Sequence, residues 1–272
     1  MPELPEVQTV VNYLQPSISR ENIQSLESPN RYYAVLENGS PLDYNNFLIG
    51  KKIKSVSRRG KYIILNLNSG YLLIHLRMTG KVLLEKPDPE NMKYVSFQLN
   101  FSDDSSLFFH DVRKFGRIYM SKKLDRLENK LGVEPLSNEF TPNWLYKHLK
   151  YHKRMIKPLL LDQKFIAGLG NIYIDESLWE SCIHPRTQSN NISQNRSNQL
   201  SCSIINILRK AISYNGTTII NYSYGKNNNG NFSDKLHVFG KTNFPCPRCN
   251  TLIVKNFVAQ RGTHFCKKCQ KY

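Results

Sequence analysis

The chain is 272 residues long and carries 38 Lys and Arg against 21 Asp and Glu, a formal charge of +17. A surplus of that size points to a polyanionic partner, nucleic acid before an anionic membrane surface, rather than to a merely soluble basic protein. No apolar run reaches the roughly 18 residues that a membrane span needs. The opening MPELPEV has acids where an export signal has bases, which argues against secretion.

The second residue carries the first chemical signal. Pro2 follows Met1 directly. Trimming of the methionine would leave proline with a free secondary amine, a nucleophile able to form an iminium and drain electrons during later eliminations. Val7, Val10, Val11 and Leu14 then recur at helical spacing behind Pro5, so an amphipathic helix is expected to anchor this end. Glu6 falls in its first turn, where the helix dipole favours an acid.

From about Lys51 to Met120 the texture becomes that of strands. Ile63–Leu67 and Tyr71–Leu76 flank Asn68-Ser69-Gly70, a hairpin pattern. Val95–Phe101 alternates with period two and is followed by the apolar run Leu107–Phe109, which together suggest a sandwich or barrel. Lys61 enters one strand behind Gly60, where backbone could approach a phosphate or a base. Two strand-end tips follow, His75-Leu76-Arg77-Met78-Thr79-Gly80 and His110-Asp111-Val112-Arg113-Lys114-Phe115-Gly116. Taken singly each is an ordinary turn. Together, Met78, Arg113 and Phe115 are the residue types that wedge into a base stack or address a base edge.

The chain turns charged and irregular around 122–145, then helical from Trp144 to about Tyr214. Gly168-Leu169-Gly170-Asn171 separates two helical patterns, with Asn171 read as the N-cap of the second. Such a helix start can seat a phosphate, and Lys157 upstream could share it. An Asn-rich stretch near 227–231 reads as a loop. Cys246-Pro-Arg-Cys249 and Cys266-Lys-Lys-Cys269 form two knuckles of zinc-ribbon spacing, while nothing signals an oxidising compartment in favour of disulfides. Four thiolates leave no open position, so one structural zinc is expected at Cys246, Cys249, Cys266 and Cys269. Arg261, between the knuckles, is placed to clamp a phosphate.

The segments PELPEV, HLRMTG, HDVRKFG, KPLLLDQKFIAGLGNIYIDESLW and CPRC…QRGTHFCKKC occur in this order from residue 2 to residue 270. Jointly they resemble the formamidopyrimidine-DNA glycosylases. The resemblance implies an α+β architecture: an N-terminal β-sandwich with a leading helix, then a helical helix–two-turns–helix module and a zinc finger. The expected division is 1–130 sandwich, 131–150 linker, 151–222 helical module, 223–238 lesion-capping loop and 239–272 zinc finger. It implies a monomer that removes oxidised purines (8-oxoguanine, formamidopyrimidines) from double-stranded DNA and cuts the abasic site by β,δ-elimination. The site would lie in the cytoplasm at the nucleoid, or in an organelle of a eukaryotic host.

The same resemblance implies residue roles. Pro2 would be the nucleophile and Glu3 the acid/base group. Lys61 and Arg261 would serve the catalytic centre, Arg261 by gripping phosphate. Met78, Arg113 and Phe115 would fill the vacated space, with Lys157, Asn171 and His75 among the DNA contacts and Glu6 near the pocket. Two alternatives stay open: the sister class for oxidised pyrimidines, which typically opens PEGPE, and a silent binder of damaged DNA. The chain departs from the family pattern at Gln8, where Glu is usual, and at HVFGKTNFPC, where Tyr-Gly-Arg is commoner.

Overall fold

Helix α1 (Leu4–Ile18) opens the chain in the computed structural model, which describes residues 1–218, 223–225 and 228–272. Its spacing does what the sequence requires: Val7, Val10, Val11, Leu14 and Ile18 are all buried. At roughly 1.5–3 kcal/mol for each such side chain, the stripe fixes the helix firmly to the core.

Two compact units result: Met1–Leu127 with Tyr214–Asn231, and Glu128–Ser213 with Phe232–Tyr272. The first holds β1 (Ile23–Glu27), α2 (Pro41–Leu48), β2 (Ile53–Arg59), β3 (Tyr62–Leu67), β4 (Tyr71–His75), β5 (Lys81–Leu83), β6 (Val95–Phe101), β7 (Ser106–His110), β8 (Arg117–Ser121) and α3 (Asp125–Glu128), the last spanning the unit boundary. The strands form two antiparallel sheets of four, ordered β1-β6-β7-β5 and β2-β3-β4-β8. Apolar residues of both sheets, among them Phe97, Leu99 and Phe109 from one and Ile63, Leu65 and Ile74 from the other, join the α1 stripe in one core. The expected sandwich with a leading helix is therefore present. The hairpin at 68–70 closes with Leu67 N–H donating to the Gly70 carbonyl (3.0 Å), and β3 pairs β4 from Tyr62↔His75 to Asn66↔Tyr71.

The second unit is helical, with α4 (Pro142–Lys150), α5 (Ile156–Leu161), α6 (Asn171–Glu180) and α7 (Gln194–Ser213), and ends in the hairpin β9 (Val254–Val258) and β10 (Arg261–Phe265). Helix α7 packs against α4 and α6, and α6 packs against β10. The stretch 131–150, read from the sequence as linker, contains α4. Thr141 caps it by accepting the Trp144 N–H, and its Leu145 and Leu149 are buried, so this stretch contributes to the helical core. In the loop expected over 223–238, residues 226 and 227 lie outside the described residues, while Phe232, Leu236 and Val238 are buried. Among the described residues, no helix is long and apolar enough to cross a membrane.

Candidate functional site

In the first unit the chemistry gathers at the head of α1. Pro2 and Glu3 are buried while Met1 is 57% exposed, so removing the methionine would cost the core nothing. Glu3 is the helix N-cap and Glu6 the third helical residue, and each side chain takes the other's backbone N–H in a capping box. The Glu3 N–H donates to Glu6 Oε2 at 2.7 Å, and the Thr217 N–H donates to Glu6 Oε1 at 2.8 Å. Glu6 thus ties the start of the chain to a segment 211 residues away. Gly216 makes this approach possible: its φ is +80°, and a Cβ there would stand 2.9 Å from Glu6 Oε1. The expectation that Glu6 sits near the pocket acquires a physical content, a backbone staple.

Lys61 is buried in the Gly60-Lys61 turn that leads from β2 into β3, with Gly60 at φ +56°. Arg58 steadies that turn by donating from Nη1 to the Gly60 carbonyl (2.9 Å) and from Nε to Gln8 Oε1 (3.0 Å). Gln8 therefore presents Arg58 with a neutral acceptor where the family pattern has a carboxylate. His75 is buried at the end of β4, opposite Tyr62, whose ring meets it edge-on at 4.6 Å. Burial, reinforced by the charges of Arg77 and Lys61, pulls the His75 pKa down to about 3. The ring is neutral at physiological pH. Its Nδ1 accepts the Arg77 N–H (3.0 Å), which leaves the ring proton on Nε2 as a donor.

The two tips form one structure. Arg77 and Lys114 adopt left-handed φ values of 54° and 56°, and each directly precedes a displayed apolar residue. Those residues, Met78 and Phe115, are 43% and 45% exposed. Arg113 lies between them, with Nη1 at 3.4 Å from the Met78 sulfur and its guanidinium 4.7 Å from the Phe115 ring centroid. Arg113 thus touches both Met78 of the other tip and Phe115 of its own.

The second unit builds a different site around Gly262. Lys157 Nζ (3.1 Å) and Asn171 Nδ2 (2.9 Å) both donate to the Gly262 carbonyl, next to exposed Arg261 at the start of β10. Lys157, expected at a flanking phosphate, is 0% exposed and bonds Asp175 Oδ1 at 2.6 Å. Burial withdraws its ammonium from solvent, so its charge acts on the hairpin that carries Arg261. Asn171 is the first helical residue of α6 rather than its cap; Gly170 occupies the cap position. Asp175 also accepts the His264 N–H on Oδ2 (2.8 Å). The hairpin itself reverses through Ala259 and Gln260 at φ 46° and 62°, the two-residue turn that matches strand twist.

Sequence reasoning missed Asp111, Asp175 and Glu176. Glu176 accepts backbone N–H bonds from His237, Val238 and Phe239, fixing the segment that departs from the family pattern. The available signal was an acidic pair inside the apolar run of α6, which is costly unless both acids are met by donors.

The four cysteines converge as expected. Their sulfurs lie within 4.8 Å of one another, with Cys246–Cys269 at 3.8 Å and Cys249–Cys266 at 3.5 Å. A tetrahedron with Zn–S bonds of about 2.3 Å has edges near 3.8 Å, so the set fits zinc. Trp179 supports it, donating its indole N–H to the Cys246 sulfur (3.4 Å). Its ring is sandwiched between the Arg248 guanidinium at 3.9 Å and the His237 ring at 4.5 Å.

Comparison with known proteins gives three family matches along the chain. Residues 1–118 match the formamidopyrimidine-DNA glycosylase N-terminal domain, 131–223 the H2TH domain of the same proteins, and 243–271 the zinc finger found in FPG and IleRS. The Protochlamydia amoebophila formamidopyrimidine-DNA glycosylase is 42% identical over 277 residues, covering all of both chains. A wild-type Lactococcus lactis Fpg bound to DNA containing N7-benzyl-Fapy-dG is 38% identical, with a TM-score of 0.91 over the full length of both. The same wild-type protein bound to DNA containing an oxidised pyrimidine gives 0.89, again at 38% identity and full coverage.

Proposed function

The chain belongs to the formamidopyrimidine-DNA glycosylase family, and from that premise we propose how its own residues carry the reaction. The protein is a base-excision repair enzyme, a DNA glycosylase and abasic-site lyase acting on oxidised purines, with a structural zinc held by Cys246, Cys249, Cys266 and Cys269. Pro2, freed of Met1, attacks C1′ of the damaged nucleoside through its secondary amine and displaces the base. The resulting iminium acidifies the neighbouring C–H bonds, and two eliminations cut the strand on either side. Attack requires the Pro2 amine in its unprotonated form, with its lone pair free.

Glu3 is the proton carrier for sugar-ring opening; its burial keeps bulk water from competing for that proton. Lys61 supports the same centre, and neutral His75 donates from Nε2 to backbone phosphate. Extruding a base leaves a hole that costs a few kcal/mol, and Met78, Arg113 and Phe115 fill it, Arg113 addressing the orphaned base. Asn171 and Arg261 hold phosphates, and Lys157 serves indirectly by fixing Gly262. These roles divide the chain into a catalytic sandwich, a helical module, a capping loop and a zinc finger. The protein works as a monomer on double-stranded DNA, in the compartment that holds the chromosome.

The observation that carries this reading is the head of α1, where Pro2 and Glu3 are buried together and Glu6 fixes the backbone between them. The test is borohydride trapping on a duplex with one 8-oxoguanine opposite cytosine. Met1-free protein should give a covalent adduct that Pro2→Gly greatly reduces. Absence of both adduct and strand cleavage would refute it. A parallel oxidised-pyrimidine duplex sets the lesion range, since the Lactococcus lactis relative has been captured on such DNA.

A further inference from the structure

The wedge residues sit on two connections that are topologically separate. The tip at 76–80 leads from β4 to β5, and the tip at 111–116 leads from β7 to β8. Each connection leaves one sheet and enters the other, β4 and β8 belonging to one, β5 and β7 to the other. The ladders pair the ends of the two tips, His75 with Arg117 and Lys81 with His110, but no ladder pair lies within the tips themselves. Between those ends the tips are joined by Asp111, 1% exposed and without a part in the chemistry described above. Its Oδ1 accepts the Thr79 hydroxyl (2.5 Å) and the Arg113 N–H (3.1 Å), and its Oδ2 accepts the Gly116 N–H (2.7 Å). The Arg113 N–H also approaches Thr79 Oγ1 at 3.3 Å. Gly116 has no room for a side chain: a Cβ would fall 2.2 Å from Phe109 Cζ and 3.1 Å from Asp111 Oδ2.

We propose that Asp111 and Thr79 are a positioning pair that locks the two tips together, so that Met78, Arg113 and Phe115 enter the base stack as one body. The inference rests on the glycosylase reading and assigns to it residues that touch neither substrate nor reacting atoms. The physical argument is one of entropy and timing. Three wedge residues on tips tied only at their ends must each be ordered as the base leaves. Three on a carboxylate-pinned frame have already met that cost on folding. Asp111 alone shapes its own tip through an i→i+2 Asx-type bond; Thr79 is what links that tip to the other.

The test uses Thr79→Val, which keeps the shape of the side chain and deletes only the hydroxyl. Excision of 8-oxoguanine from duplex DNA should slow by about ten- to a hundredfold, the range of one charge-assisted hydrogen bond expressed as a rate. Thr79→Ser should restore it. Cleavage of a preformed abasic site in single-stranded DNA, which has no stack to fill, should be unchanged. In a Met78→Ala background the Thr79→Val penalty should shrink, because the two act through one wedge. Unimpaired duplex excision by Thr79→Val would overturn the proposal, and so would an equal loss on the single-stranded substrate. A parent protein inactive on both substrates is a distinct result that would sink the functional reading and this inference with it.

Discussion

Each unit buries a carboxylate to hold a functional segment, and the two do it with different partners. In the first, Glu6 gathers the neutral N–H groups of Glu3 and Thr217 at the head of α1, beside Pro2. In the second, Asp175 faces the buried ammonium of Lys157 together with the His264 N–H, beside the hairpin that displays Arg261. A carboxylate held by backbone dipoles weakens in steps as donors are lost. A buried ion pair fails abruptly, because removing one partner strands the other in a poor solvent for charge. The frame beside Pro2, the proposed nucleophile, is thus built to degrade gradually, and the frame beside Arg261, the proposed phosphate grip, to hold or fall as a unit.

The largest expected separation between the units comes from the metal. Structural zinc in finger modules contributes on the order of 10–16 kcal/mol, so chelation should unfold the hairpin region and expose β9 and β10. Hydrogen exchange should show protection lost there and kept in the sandwich strands; equal loss in both units would break the comparison. Next, Lys157→Met should destabilise the second unit by about 3–5 kcal/mol, whereas adding Asp175→Leu should recover much of it. Denaturant unfolding reads both, and a double variant no better than the single would show that the ion pair is not the source of the cost. Glu6→Gln should cost less, about 1–3 kcal/mol, since the amide retains one acceptor and turns a donor toward the second N–H.

The smallest effect is one of pH. His75 has its pKa lowered in the fold to about 3 from an ordinary 6.5. As pH falls below 6.5 the unfolded chain takes up a proton that the folded chain refuses, so stability is lost progressively down to about pH 3. At pH 5.5 the loss from this one group is on the order of 1 kcal/mol, and His75→Gln should flatten that part of the stability–pH curve by a similar amount. An unchanged slope would mean that His75 is protonated without penalty.

These contrasts also explain what could be read in advance. The α1 stripe, the 63–76 hairpin and the cysteine knuckles were legible because each rests on local spacing that physical chemistry forces. Met78, Arg113 and Phe115 were legible as residue types, and the fold put Arg113 in contact with the other two. The Asp111–Thr79 lock was not, because a carboxylate 32 residues from its hydroxyl partner leaves no periodic trace. The pairing of Lys157, read from the sequence as sharing a phosphate, was hidden for a related reason: only the packing of the second unit brings Asp175, 18 residues away, to meet it. Glycine at 170 took the cap because Asn171 turns its amide to the Gly262 carbonyl instead.

The position of Trp179 gives the molecule a built-in optical gauge. The chain has two tryptophans, and the other, Trp144, stacks on His148 in α4. An indole that shares its proton with a metal-ligating sulfur and lies between two cationic or cationisable groups has its emission governed by that coordination sphere. Loss of the ion would change one fluorophore and leave the second as an internal standard, so the loading of the finger can be followed during turnover without any label.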